Sequence, residues 1–333
     1  MTYSQVKTHL IQQASRQRIP LVGEFELTPQ CNLNCTMCYI REAKPKNLVS
    51  TEAWIQLIHE AKEAGLLFCL FTGGEIFLRD DFQAIYEATY DLGIRITLFT
   101  NGTLITDDVI AMLKKRPPEL LAITMYGVTP ELYQAVTGHP EAFAQVGAGI
   151  RKLQEAHLPF LVRTIAVREI YNHLDDVLAY FKAHHFSVSY SLYVGPRRCN
   201  VTKSPDDRLT PPELVCYDKW FQEAFGVKTV TRREECYVGL SCVAGASSFF
   251  VSWDGAMMPC AMLNVPKIPI TNFNATWNKF QVETASIPLC SSYPHCEVKS
   301  TCMQCAAKRY LEGGFTACSP YLKEIATLMR DEQ

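Results

Sequence analysis

From residue 21 to about 195, short apolar runs alternate with amphipathic stretches. Six runs have the length and composition of strands: 22–27, 66–71, 94–100, 120–125, 160–167 and 188–193. Between them, 51–64 places Trp54, Ile55, Ile58 and Ala61 on one helical face, and 80–92, 106–115, 141–156 and 174–184 repeat that periodicity. Alternation of strand and helix with short connections predicts parallel strands joined by crossover helices. Six units are too few for an eight-fold barrel. The pattern therefore predicts an α/β domain over residues 21–195, a partial (β/α)6 barrel or an open doubly wound sheet, behind an N-terminal arm of residues 1–20.

The pattern then changes. Residues 196–212 are rich in Pro and charge and predict a linker, which continues through a helix at 212–225 to about residue 235. From Cys236 to the end, periodicity fades and Cys, Gly and Pro take over, ahead of a C-terminal helix. A segment of that composition is expected to bury little apolar surface and to need metal to hold it.

Composition narrows the function. Lys and Arg number 32 against 34 Asp and Glu in 333 residues, a net charge of −2, so no basic excess attracts nucleic acid or an anionic membrane. The longest apolar stretch is far shorter than the roughly 20 residues that span a bilayer, and no signal-peptide pattern opens the chain. These features lead us to expect a cytoplasmic protein. Fourteen cysteines are the anomaly. Three fall between Cys31 and Cys38 and eight between Cys236 and Cys318, a clustering that suits metal ligation better than disulfides in a reducing compartment.

After the first strand comes Cys31-Asn-Leu-Asn-Cys35-Thr-Met-Cys38-Tyr39. Three thiolates at this spacing can converge on one small iron–sulfur cluster. Such clusters normally take four thiolates, so one iron would stay open for chemistry. Zinc with a fourth ligand from elsewhere is the alternative reading. The second strand ends in Thr72-Gly73-Gly74-Glu75 and the third in Thr100-Asn101-Gly102. Diglycine at a strand's C-terminal end lets a ligand approach the backbone, and Glu75 offers a carboxylate for an amine. All three segments fall at one rim of a parallel sheet.

This combination of CxxxCxxC after the first strand and GGE after the second resembles the radical S-adenosylmethionine (SAM) enzymes. The resemblance implies a [4Fe–4S] cluster on Cys31, Cys35 and Cys38, its open iron chelated by the amino and carboxylate groups of SAM. It implies a SAM-binding role for Gly73, Gly74 and Glu75, with Tyr39 flanking the last cysteine and Met37 where the family usually has an aromatic residue. Thr124, at the end of the fourth strand, matches a position that touches the SAM ribose. Arg163 on the fifth strand is a further candidate contact.

Eight later cysteines are the number needed for two four-thiolate sites, and two zinc ribbons would use the same count. The element Cys242-x12-Gly255-x4-Cys260 resembles the SPASM extension of radical SAM enzymes, which implies two auxiliary [4Fe–4S] clusters. The order of ligands implied puts Cys236, Cys242, Cys260 and Cys305 on one, and Cys290, Cys296, Cys302 and Cys318 on the other. The spacings Cys290–Cys296 and Cys302–Cys305 depart from the usual pattern. The chemistry implied is reductive cleavage of SAM to a 5′-deoxyadenosyl radical that takes hydrogen from a substrate, the electron arriving from a flavodoxin or ferredoxin.

Within that group the sequence resembles maturases of ribosomally synthesised peptides, which form thioether or carbon–carbon crosslinks or epimerise residues. A small-molecule substrate, such as a sugar, a tetrapyrrole or a redox-cofactor precursor, is the alternative. Ala261 stands where a sulfatase maturase would carry an Asp after Cys260, which argues against that activity. Only about 20 residues precede the first strand, so a leader peptide, if used, is expected to need a separate leader-binding protein. Cys199 lies at the rim after the sixth strand and is a candidate hydrogen-atom donor. Arg197 and Arg198 beside it read as solvated loop charges, and Cys69 as core.

Overall fold

The structure, a computed structural model, describes residues 2–41, 48–198, 206–227, 240, 242–302 and 305–332. The N-terminal arm is a helix, α1 (Tyr3–Gln17), closed at its start by a capping box between Thr2 and Gln5. Six β/α units follow. They comprise β1 (Val22–Glu26), α2 (Thr51–Glu63), β2 (Phe68–Thr72), α3 (Phe82–Asp91), β3 (Arg95–Thr100) and α4 (Asp107–Lys115). Next come β4 (Leu120–Thr124), α5 (Pro130–Thr137), α6 (Ala142–Glu155), β5 (Phe160–Ile165), α7 (Arg168–Asn172), α8 (Leu174–Ala183) and β6 (Val188–Ser191). Each predicted strand is present, and each pairs in parallel with its neighbour in sequence. The linker helix is α9 (Pro211–Phe225).

The C-terminal region departs from expectation. β7 (Ser248–Val251) pairs in parallel with β1, and β8 (Ala256–Met258) and β9 (Ile268–Pro269) continue antiparallel from it. The described strands form one sheet, ordered β6-β5-β4-β3-β2-β1-β7-β8-β9. Gly23 makes the join possible. A Cβ there would stand 2.7 Å from the Phe249 ring, which instead packs edge-on against Phe25 at 5.7 Å between centroids. Phe249, Phe273, Trp277 and Phe280 all belong to the main core, where each fully buried ring contributes about 1.5–3 kcal/mol. The region after residue 240 therefore buries much more apolar surface than its composition suggested.

α10 (Phe273–Ala285), α11 (Ala306–Leu311) and α12 (Pro320–Asp331) complete the chain. Around the last cysteines the apolar support is a separate small cluster of Leu240, Ala244, Leu263, Ile287, Ala306 and Ala307. No described helix is long and apolar enough to cross a membrane.

Candidate active site

The C-terminal ends of β1 and β2 are locked together backbone to backbone. Gly74 N–H donates to Thr28 O at 2.7 Å and Glu75 N–H to Gln30 O at 2.8 Å. A Cβ on Gly74 would lie 2.1 Å from the Gln30 carbonyl oxygen, so no other residue fits without moving the segment that leads into Cys31. The far side of the cysteine loop is tied to the end of α5, where Asn34 and Thr36 N–H groups reach the Thr137 and Val136 carbonyls at 3.0 Å. Those carbonyls lie in the last helical turn and have no partner within the helix.

Cys31, Cys35 and Cys38 all line one cavity of about 730 Å³. Leu33 N–H points at Cys31 Sγ at 3.4 Å, and Asn101 Nδ2, which also donates to Asn32 Oδ1 at 2.8 Å, lies 3.7 Å from the same sulfur. Burial, then the neighbouring thiols, push Cys35 well above the usual thiol range, and burial is the main cause raising Cys31 to about 11. Three neighbouring thiols, Cys35 buried, Cys38 half-buried and Cys31 exposed at the cavity, become thiolates together most readily with a cationic group in their midst. An iron–sulfur cluster fits that demand.

Gly73, Gly74, Tyr39, Thr124 and Arg163 line the same cavity. Glu75 does not. Its buried carboxylate accepts from Asn101 N–H at 2.7 Å, Thr100 Oγ1 at 2.8 Å and Phe77 N–H at 3.2 Å, and burial lifts it to about 7. Glu75 thus joins the ends of β2 and β3 and leaves the diglycine backbone, not its own carboxylate, at the cavity wall. Asn101, in the third of the rim segments, holds the Cys31 turn. Two lining residues escaped the sequence reading: Tyr126 hydrogen-bonds Cys35, and Glu24 faces inward from β1 near Arg163.

Arg198 is not solvated. Its guanidinium is buried against Glu26 at 2.7 Å, donates to Ala261 O at 3.1 Å, and lies 4.9 Å from the Trp253 ring centre. Glu26 also accepts from the Tyr39 hydroxyl at 2.9 Å, and Arg198 N–H donates to Tyr39 O. One buried ion pair thereby joins β1, the residue after Cys38 and the residue after Cys260. Linker charge gave no hint of it, because its partner lies most of the barrel away in sequence. Cys199 and Cys236 lie outside the described residues.

The described cysteines after residue 240 fall into two groups. Cys305 and Cys242 lie close enough to Cys260 to add to the burial that raises its thiol to about 12. Cys290, Cys296 and Cys302 act in the same way on Cys318, with burial again the larger cause. Ala261, Met262 and Leu311 bring this region to the wall of the main cavity.

The family model for the Radical SAM superfamily matches residues 25–181. An AdoMet-dependent heme synthase of Methanosarcina barkeri is 24% identical over 339 residues, 92% of this chain and 95% of that protein. The antilisterial bacteriocin subtilosin biosynthesis protein AlbA of Bacillus subtilis is 31% identical over 250 residues, 73% of this chain and 55% of its own length. The crystal structure of Streptococcus suis SuiB bound to S-adenosylmethionine superposes with a TM-score of 0.73 at 15% identity, covering 96% of this chain and 81% of that one. The fold, the cysteine loop beside the diglycine turn and the match over 25–181 lead to one conclusion: the chain carries a radical SAM domain.

Proposed function

We propose that this protein is a radical SAM peptide maturase. In this reading Cys31, Cys35 and Cys38 hold the SAM-binding cluster, the Gly73–Gly74 backbone receives the methionine amine, and Tyr39, Thr124 and Arg163 contact the rest of SAM. Glu75 fixes the turn that presents the diglycine. Cys236, Cys242, Cys260 and Cys305, and Cys290, Cys296, Cys302 and Cys318, hold two auxiliary clusters, and the thiol groupings around Cys260 and Cys318 support that division. Cluster and SAM, when bound, supply the reductive cleavage that allows hydrogen abstraction. The protein's own part is to orient both and to exclude water with the walls of the cavity.

The observation that carries the peptide reading is a stretch of unpaired backbone in the cavity wall. β6 ends the sheet, and beyond it Tyr193, Val194, Gly195 and Pro196 line the cavity, while the backbone of 192–196 makes no hydrogen bond among the described residues. An unpaired edge next to a reaction chamber suits a substrate that brings its own backbone donors and acceptors. The likeness to a bacteriocin biosynthesis protein supports the same class. Coexpression with short reading frames beside the gene, read by peptide mass, tests it. A loss of two hydrogens per peptide marks a crosslink, and deuterium uptake from solvent marks epimerisation. Unmodified peptides throughout would overturn the reading.

A small-molecule substrate is the second reading. It is favoured by the near full-length likeness to a heme synthase.

A further inference from the structure

The inward face of β1 carries two carboxylates, Glu24 and Glu26, and the protein treats them differently. Glu26 is satisfied by Arg198 and Tyr39. Glu24 lines the cavity yet makes no hydrogen bond or ion pair among the described residues. Its charged neighbour is Arg163 on β5, but that guanidinium lies over the Phe99 ring, 4.1 Å from its centre, instead of closing on the carboxylate. Partial burial in the cavity wall pushes Glu24 up to about 7, against the opposing pull of Arg163.

Register places Glu24 below the rim. Glu26 pairs with Thr72, next to Gly73, whereas Glu24 pairs with Leu70, one inward position deeper. Cysteines and diglycine occupy the rim, so a cofactor held there leaves Glu24 to what lies beneath it. Leu70 and Phe99 supply the apolar wall beside it. A half-buried carboxylate that faces a cavity with no protein donor on it is open to a donor brought by a ligand.

We propose that Glu24 anchors the substrate by accepting a hydrogen bond from one of its nitrogen donors, a peptide N–H or an amine, beneath SAM. The inference rests on the radical SAM site assignment above and deepens the peptide reading, since a polycarboxylate substrate would bring like charge against Glu24.

The test uses the reconstituted, SAM-loaded protein and three fluorine probes read by 19F line broadening: 2-fluoroethylammonium, fluoroacetamide and fluoroacetate. The wild type should bind one or both of the nitrogen donors and not fluoroacetate, and Glu24→Leu should weaken the donors about tenfold or more. Binding of the amide alone identifies an N–H anchor, and of the ammonium alone an amine anchor. Equal binding of fluoroacetate, or undiminished binding of the donors by Glu24→Leu, overturns the proposal.

Two further readouts separate an anchor from other roles. SAM affinity by equilibrium dialysis should be the same in Glu24→Leu as in wild type, and a tenfold loss would make Glu24 a cofactor residue instead. The variant should melt no lower than wild type, because Glu24 makes no hydrogen bond or ion pair among the described residues that its removal would break. A lower melting point would reveal a structural role and sink the idea. Should the probe pattern hold while no neighbouring peptide is modified, the peptide reading fails and the anchor survives.

Discussion

The two cysteine-bearing regions are held by opposite means. The loop from Cys31 to Cys38 is fixed by backbone hydrogen bonds to β2 on one side and α5 on the other, and it sits over the main core. The stretch from Cys290 to Cys318 rests on a small satellite core and on short local turns. The first is shaped by the protein before anything binds. The second is tied to the rest mainly at Glu312, which pairs with Arg208 and Tyr193, so its cysteine turns should depend more on what the thiols hold.

Four measurements break or sharpen that contrast. Arg198→Met should have the largest effect, since it strands Glu26 buried and uncompensated where both regions meet. A loss of about 3–5 kcal/mol in global unfolding is expected, with partial recovery in Arg198→Lys. Unchanged stability would mean that the two regions are not coupled through this pair.

Chelation of iron under anaerobic conditions comes next. Limited proteolysis should then cut within 286–332 about 100-fold faster, roughly 3 kcal/mol of lost local stability, while 22–226 keeps its resistance. Equal sensitivity of both regions would break the contrast.

Gly74→Ala drives a methyl group into the Gln30 carbonyl and must shift the cysteine loop. It should cost about 1–3 kcal/mol. SAM cleavage, followed as 5′-deoxyadenosine, should fall about 100-fold through misplacement of the site. Near-normal cleavage would show that the loop has more slack than its hydrogen bonds suggest.

The smallest effect is a pH dependence. Burial raises Glu75 from an ordinary 4.5 to about 7, so between those values the folded state binds the proton that the unfolded state has released. Its contribution to stability is therefore present in full at low pH and falls as pH rises through that window, by up to about 1.4 kcal/mol per pH unit. Glu24 shifts in the same direction. Urea unfolding at pH 5, 6, 7 and 8 should show a shallower slope in Glu75→Gln than in wild type, and identical slopes would refute the assignment.

Much of this was legible in the sequence, for physical reasons that differ by residue. The six barrel strands are apolar runs buried by crossover helices, so hydrophobicity alone marks them. Gly73 and Gly74 are legible because a carbonyl stands where any Cβ would be. Arg198 was misread because a charge in a Pro-rich stretch is ordinarily solvated, and only the folded chain brings Glu26 to it. Glu24 was passed over because an isolated Glu inside a strand pattern looks like an outward-facing residue. β7 was missed because its apolar run, Phe249 to Val251, is only three residues long, and its partner is the distant edge of β1 rather than a sequence neighbour.

That last pairing bears on how the chain is made. β1 emerges from the ribosome well before its partner, and the edge that Val22 to Phe25 presents waits for Ser248 to Val251. Until then a row of unpaired backbone groups stands beside β2–β6, which can already assemble from near neighbours. The nascent protein carries an open strand edge throughout the synthesis of residues 26–248. Slow translation, or a truncation before residue 248, would leave that edge available to other chains, so expression yield should depend on chaperone supply more than the stability of the finished fold would suggest.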